Sequence, residues 1–168
     1  EEIEEEEEEI LHGPNYQVED TYYNRQTYLK YLNMQDVWNQ TQGAYSDGEK
    51  VKVAVIDTGI DTDHPEFFDA EGNSIISTKS YDATNDKVVD MYDMSVIEDT
   101  HGHGTAVAGV IAAQFNGEGI VGIAPNVELL VIKCEIDTST GAFKYSSDLT
   151  YGIYYAIEQD VDVINMSF

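Results

Sequence analysis

Apolar residues fall into short, dense runs separated by polar stretches, and the spacing changes from run to run. Val51 to Asp57, VKVAVID, is β-branched and almost wholly apolar, as expected of a strand covered on both faces. Glu128 to Cys134, ELLVIKC, and Val161 to Ser167, VDVINMS, read the same way. Ser74 to Ser80, SIISTKS, is a weaker strand candidate. Helical spacing enters between these runs. Leu29, Leu32, Val37 and Trp38 are loosely helical, and Asn33 ahead of Asp36 predicts an N-cap for a helix over Met34 to Gln40. Gly104 to Gln114, GTAVAGVIAAQ, is built of small residues that let a helix press close to a sheet. Leu149, Ile153 and Ala156/Ile157 predict a helix over Ser146 to Gln159. Tyr81 to Thr100 lacks periodicity and reads as a long connection. Phe115 to Pro125, with three glycines and a proline, reads as a loop.

The resulting order is strand, strand, helix, strand, helix, strand, after an opening helix. Covered strands alternating with helices predict an α/β fold, a doubly wound and mostly parallel sheet with helices on both faces. The sequence stops at Phe168, directly after a buried strand, so the expected domain is incomplete. Val161 to Ser167 would then be an open edge that invites pairing. No internal repeat is present.

A length of 168 residues suits one domain. Charge changes the picture more than composition does: 33 Asp and Glu face 8 Lys and Arg, for a net charge of −25. Glu1, Glu2 and Glu4 to Glu9 are a like-charged run, expected to be an acidic tail or linker over residues 1–15, with the folded domain over 16–168. Setting those eight carboxylates aside still leaves −17 out of −25. Such a body repels phosphate backbones, so nucleic acid is excluded as a partner. No apolar run approaches 18 residues, so membrane insertion is not expected. Cys134 stands alone, which rules out an internal disulfide and a cysteine-based zinc site. The chain opens on Glu1 without a signal-peptide pattern, and cellular address cannot be read from it directly.

Two clusters carry chemistry. Asp57 closes a strand in D-T-G-I-D, and ligands of open α/β sheets gather at the carboxyl ends of strands. Alone, it is equally a turn acid capping a loop. Residues Asp99 to Gly109, DTHGHGTAVAG, put an imidazole where a small-residue helix begins. A helix N-terminus disfavours the imidazolium and keeps the ring neutral, as a general base requires.

Taken together, V-A-V-I-D-T-G-I-D, H-G-T-A-V-A-G and V-I-N-M-S resemble the subtilisin-like serine protease family over about Val37 to Phe168. The resemblance implies peptide-bond hydrolysis through an Asp-His-Ser triad, with Asp57 as the acid and His103 as the base. His103 is taken over His101 because the family's histidine directly precedes Gly-Thr. Ala106 stands where the family commonly has a second histidine. The resemblance further implies that Gly141 to Ser146 lies along extended substrate, and that Ser167 and Phe168 begin the primary specificity pocket. It also implies a calcium loop, with the Asn116 side chain, the carbonyls of Gln114, Glu118 and Ile120, and Glu66 in place of an aspartate ligand. Its partners would be a peptide or protein substrate and the remainder of the domain. Family habit favours an extracellular or cell-surface setting.

The nucleophile of the family lies in Gly-Thr-Ser-x-Ala, and none of the nine serines has that context. The chain alone is therefore expected to be inactive. Two other readings compete. One is a pseudoprotease or regulatory binding module on the same fold. The other is a metal-dependent hydrolase using Asp57, Asp99, His101 and His103, with His-x-His as a zinc-ligand pattern.

Overall fold

The computed structural model describes residues 18–90, 93–137 and 139–168. The acidic run at residues 1–15 lies outside them. Five strands form one sheet: β1 (Lys52–Asp57), β2 (Tyr81–Asp82), β3 (Lys87–Val88), β4 (Glu128–Lys133) and β5 (Val163–Asn165), in the order β3-β2-β4-β1-β5. β1 runs parallel to β4 in a register from Lys52 opposite Glu128 to Asp57 opposite Lys133. β5 lies parallel on the other side of β1, and β2 parallel on the outer side of β4. Only the β2–β3 hairpin is antiparallel.

Alternation along the two central strands explains why both faces need a cover. Val53 and Val55 of β1, with Leu129 and Val131 of β4, point to one side. There they meet Ala108 and Ala112 of α3 (His103–Ala112). Ala54, Ile56, Leu130 and Ile132 point to the other, where Ala156 of α4 (Ser146–Glu158) joins them. Small side chains on both helices permit close approach; a Cβ at Gly152 would lie 2.9 Å from Ile132 Cγ2. The fold is thus the expected doubly wound, mostly parallel sheet with a helix on each face.

A third cluster ties the opening segment to the Gly-rich loop. Two single-turn helices, α1 (Thr27–Tyr31) and α2 (Met34–Trp38), bury Leu29, Met34 and Trp38 against Val121. Trp38 Nε1–H donates to the carbonyl of Ile123 at 2.9 Å, and Phe115 packs edge-on against its ring.

Three expectations need correction. Asn33 does not cap α2 in the usual way: it lies between α1 and α2 at φ 53, in the left-handed region, and its amide donates to Asp36 at 2.6 Å. Residues 74–80 do not form a regular strand. Ile76 makes one bridge to Leu129, after which Ser77 binds Glu128 through its hydroxyl and the Ser80 hydroxyl accepts from Val131 N–H. Ser77 N–H still reaches Leu129 O, but at Val131 the Ser80 hydroxyl takes the place of a ladder carbonyl. The strand instead forms at Tyr81–Asp82, inside the stretch expected to be featureless, which also holds β3 and a 3-10 turn over Ser95–Ile97. β5 is the outermost strand beside β1, with Val163 half exposed.

Candidate active site

Asp57 is the last residue of β1 and is 1% exposed. His103 is the first residue of α3. The two meet across the carboxyl edge of the sheet, with His103 Nδ1 2.7 Å from Asp57 Oδ1. The carboxylate can only accept, so this contact selects the tautomer with hydrogen on Nδ1. Thr58 N–H also donates to Oδ1, at 2.8 Å, while Oδ2 is buried without a partner among the described residues. The imidazole is 45% exposed, so one end of the ring is fixed and the rest stays open to solvent.

Glycine makes this approach possible. A Cβ on Gly104 would collide with the carbonyl oxygen of Gly59 and come within 3.1 Å of Thr58 N. The first turn of α3 therefore rests directly on backbone of the loop after Asp57. Gly59 itself adopts φ 114, and a Cβ there would strike Ile97 O at 2.5 Å.

Asp99 joins the two motifs. Its Oδ1 accepts from Thr58 Oγ1 and from the N–H groups of His101 and Gly102, each at 2.9 Å. Its Oδ2 accepts from Thr105 N–H at 2.9 Å and Thr105 Oγ1 at 2.7 Å. Burial alone would raise this carboxyl, but the Gly102, Thr105 and His101 donors overcome it and hold the pKa at about 2. Asp99 is thus turned to loop donors rather than to His101 and His103, as the metal-hydrolase reading would have needed. His101 is exposed, its ring tilted 6.3 Å from that of His103.

The expected substrate residues fall on two chain segments. Gly141 adopts φ 72 at the tip of a turn in which Asp137 N–H bonds Ala142 O and Lys144 N–H bonds Glu135 O. Ser146 is the exposed first residue of α4. Ser167 donates to Asn165 Oδ1, and Phe168 packs edge-on against Phe143 with ring centroids 4.5 Å apart. The 141–146 and 167–168 segments are thus brought together by two phenylalanines. A cavity of about 390 Å³ lies beside the His103 turn, among Thr58, Asp82, His101, Lys133 and Glu135.

The expected calcium residues also converge. Glu66 Oε1 accepts from Ile120 N–H at 2.8 Å, while its Oε2 is buried without a partner among the described residues. Asp20, which sequence reasoning missed, accepts from Asn116 and Gly117 N–H across 96 or more residues of chain. Burial raises the pKa of both carboxyls, and the charge of Asp20 adds to the rise at Glu66. Asn116 donates to Pro65 O and Phe68 O and accepts from Glu118 N–H. The Gln114 side chain turns inward to Ala112 O and Pro125 O, leaving only its carbonyl for a metal. Two buried carboxylates, one with an unbalanced oxygen, thus meet at this loop, while among the described residues no group of three or more His, Cys, Asp or Glu side chains is placed to hold a metal ion.

Comparison with known proteins agrees with this geometry. The model of the subtilase family matches residues 48–168. The chain is 45% identical over 131 residues to an intracellular serine protease of Paenibacillus polymyxa, covering 78% of this chain and 35% of that protein. It is 43% identical over 120 residues to the major intracellular serine protease of Bacillus subtilis, covering 71% and 34%. Fervidolysin from Fervidobacterium pennivorans, a keratinolytic enzyme related to subtilisin, superposes with a TM-score of 0.63 at 26% identity, over 93% of this chain and 22% of that one. The chain thus spans about a third of the length of the curated relatives it matches.

Proposed function

The chain belongs to the subtilase family, and on that footing we propose that it carries the acid and the base of a serine endopeptidase. The observation that supports this most is the 2.7 Å contact between His103 Nδ1 and Asp57 Oδ1. With hydrogen held on Nδ1, the lone pair of the other ring nitrogen is free to take a proton from a serine hydroxyl. Asp57, buried beneath the ring, stabilises the imidazolium as that proton arrives. His103 then returns the proton to the leaving amine, and the acyl-enzyme is cleared by water through the same cycle. Extended substrate lies along the 141–146 segment, with Ser167 and Phe168 at the start of the primary pocket.

The serine is not among these residues, since no Gly-Thr-Ser-x-Ala motif occurs. The 168 residues alone are expected not to hydrolyse peptides, and a serine-bearing segment would be their partner in the reaction. A non-catalytic binding module would have no use for a buried carboxylate aligned on an open imidazole. Glu66, Asp20 and Asn116, with carbonyls of the 114–120 loop, would hold calcium, which would balance two buried negative charges and stiffen the end of α3. Among the described residues no helix is long and apolar enough to cross a membrane. The relatives include both proteases named as intracellular and proteins named as subtilisins, and so decide neither setting.

A fluorophosphonate probe tests the catalytic reading. The chain alone is expected to remain unlabelled. Mixed with a serine-bearing downstream segment, it is expected to support labelling of that serine, and His103→Ala to abolish it. Labelling of the isolated chain, or labelling indifferent to His103→Ala, would overturn the proposal.

A further inference from the structure

Resting on that reading, we propose that Asp99 is a positioning residue that sets the separation of Asp57 and His103. The acid sits on a strand and the base on a helix, and 46 residues separate them in sequence. Packing of α3 on the sheet and the close approach of Gly104 to Gly59 bring the first turn of α3 against the loop after β1. A closed ring of hydrogen bonds then fixes its position there. Thr58, the neighbour of Asp57, donates through Oγ1 to Asp99 Oδ1 and accepts there from Gly104 N–H, both at 2.9 Å. Asp99 in turn takes the N–H groups of His101, Gly102 and Thr105 and the Thr105 hydroxyl. The Thr105 hydroxyl then accepts from Asp61 N–H at 2.9 Å, returning to the loop after β1.

His103 lies between Gly102 and Gly104, whose N–H groups are bound to Asp99 and to Thr58 respectively. Its backbone is therefore held on both sides by this one pair of side chains. The Asp99 backbone is held as well, its N–H on Ile60 O at 2.9 Å.

The chemistry demands a carboxylate. Three donors converge on Oδ1 and two on Oδ2, so an amide in either orientation would set its NH₂ against at least one backbone N–H, a group that can only donate. A carboxylate accepts all five, and charge assistance shortens and strengthens such bonds. The depressed pKa of Asp99 fits this arrangement. A misplacement of about 1 Å between catalytic groups can reduce turnover about 100-fold, so a spacer of this kind matters to the reaction without touching substrate.

The readout is the Nδ1 proton of His103, which a short bond to a carboxylate moves far downfield and protects from exchange. It is observed on the full 168-residue chain labelled with ¹⁵N-histidine, with the backbone amide spectrum as a monitor of folding. The parent, Thr58→Ser and the exposed control Asp93→Asn are expected to keep the resonance. Asp99→Asn and Thr58→Val are expected to lose it while most amide peaks stay in place. Should Asp99→Asn fail to fold, Thr58→Val carries the same test, and Thr58→Ser separates hydroxyl chemistry from side-chain size. Retention of the resonance at its parent position in Asp99→Asn, or in Thr58→Val when the former does not fold, would overturn the positioning role alone. Its absence from the parent would overturn the Asp57–His103 reading and this proposal with it.

Discussion

Gly104 and Gly109 lie on the same helix, yet replacing each with alanine should move stability in opposite directions. At Gly109 the new methyl would meet only Ile120 Cδ1, at 3.6 Å, an ordinary contact. Removing a glycine from a helix gains about 0.5–1 kcal/mol. At Gly104 the methyl would run into Gly59 O, with Gly59 N at 3.0 Å and Thr58 N at 3.1 Å. All three are backbone atoms, so no rotamer change relieves the clash. Overpacking against backbone alone sits in the upper part of its usual range, about 2–3 kcal/mol, which outweighs the helix gain by roughly 1–2.5 kcal/mol. A chain of this size loses about 2–4 °C of thermal midpoint per kcal/mol. Gly104→Ala should therefore melt about 2–10 °C lower than the parent, and Gly109→Ala about 1–4 °C higher. Thermal unfolding followed by circular dichroism measures both. A Gly104→Ala protein as stable as Gly109→Ala would refute the backbone-on-backbone contact that seats His103 beside Asp57.

Three further outcomes follow from the same structure. Trp38→Ala removes a side chain 1% exposed, together with its contacts to the opening helices; urea unfolding should show a loss of about 3–5 kcal/mol, and a loss under 1 kcal/mol would mean that those helices are not part of the core. The Asp99 carboxyl titrates at about 2 in the folded chain against an ordinary 3.8. The unfolded chain takes up that proton first, so its stabilisation is complete above about pH 4 and fades as the pH falls toward 2; the urea midpoint of Asp99→Asn should vary less across that window than that of the parent. Calcium at millimolar concentration should raise the thermal midpoint of the parent over its value in EDTA and leave Glu66→Ala unmoved; identical parent midpoints in the two buffers would remove the calcium reading.

The parts legible in the sequence are those whose cause is local. β1 and β4 announce themselves because they are covered on both faces, so nearly every position is apolar. α4 does so through one apolar stripe at helical spacing. Asp57 and His103 could be paired through the resemblance of their two motifs to the family, and the structure shows that glycines of those motifs, Gly59 and Gly104, lie where backbone meets backbone. Other parts depend on partners far along the chain. β2 is two residues long and exists because β4 lies beside it, not because Tyr81–Asp82 has strand character. The spacing of Asn33 to Asp36 predicts a cap, yet the turn between α1 and α2 requires a left-handed residue, which asparagine tolerates. Asp20 meets the 114–120 loop only through the folded chain. Asp99 looked like a possible metal ligand because two histidines follow it. Its position two and three residues ahead of bonded N–H groups was the signal for a turn-capping carboxylate instead.

The central claim is that Asp57 and His103 share one hydrogen bond that orients the base. The imidazole protons of the ¹⁵N-histidine-labelled chain test it most directly, compared between the parent and Asp57→Asn. A slowly exchanging His103 Nδ1 proton far downfield in the parent, and gone in Asp57→Asn with the amide spectrum otherwise preserved, is the predicted result. A parent spectrum without that proton, or an Asp57→Asn spectrum that retains it, would contradict the account.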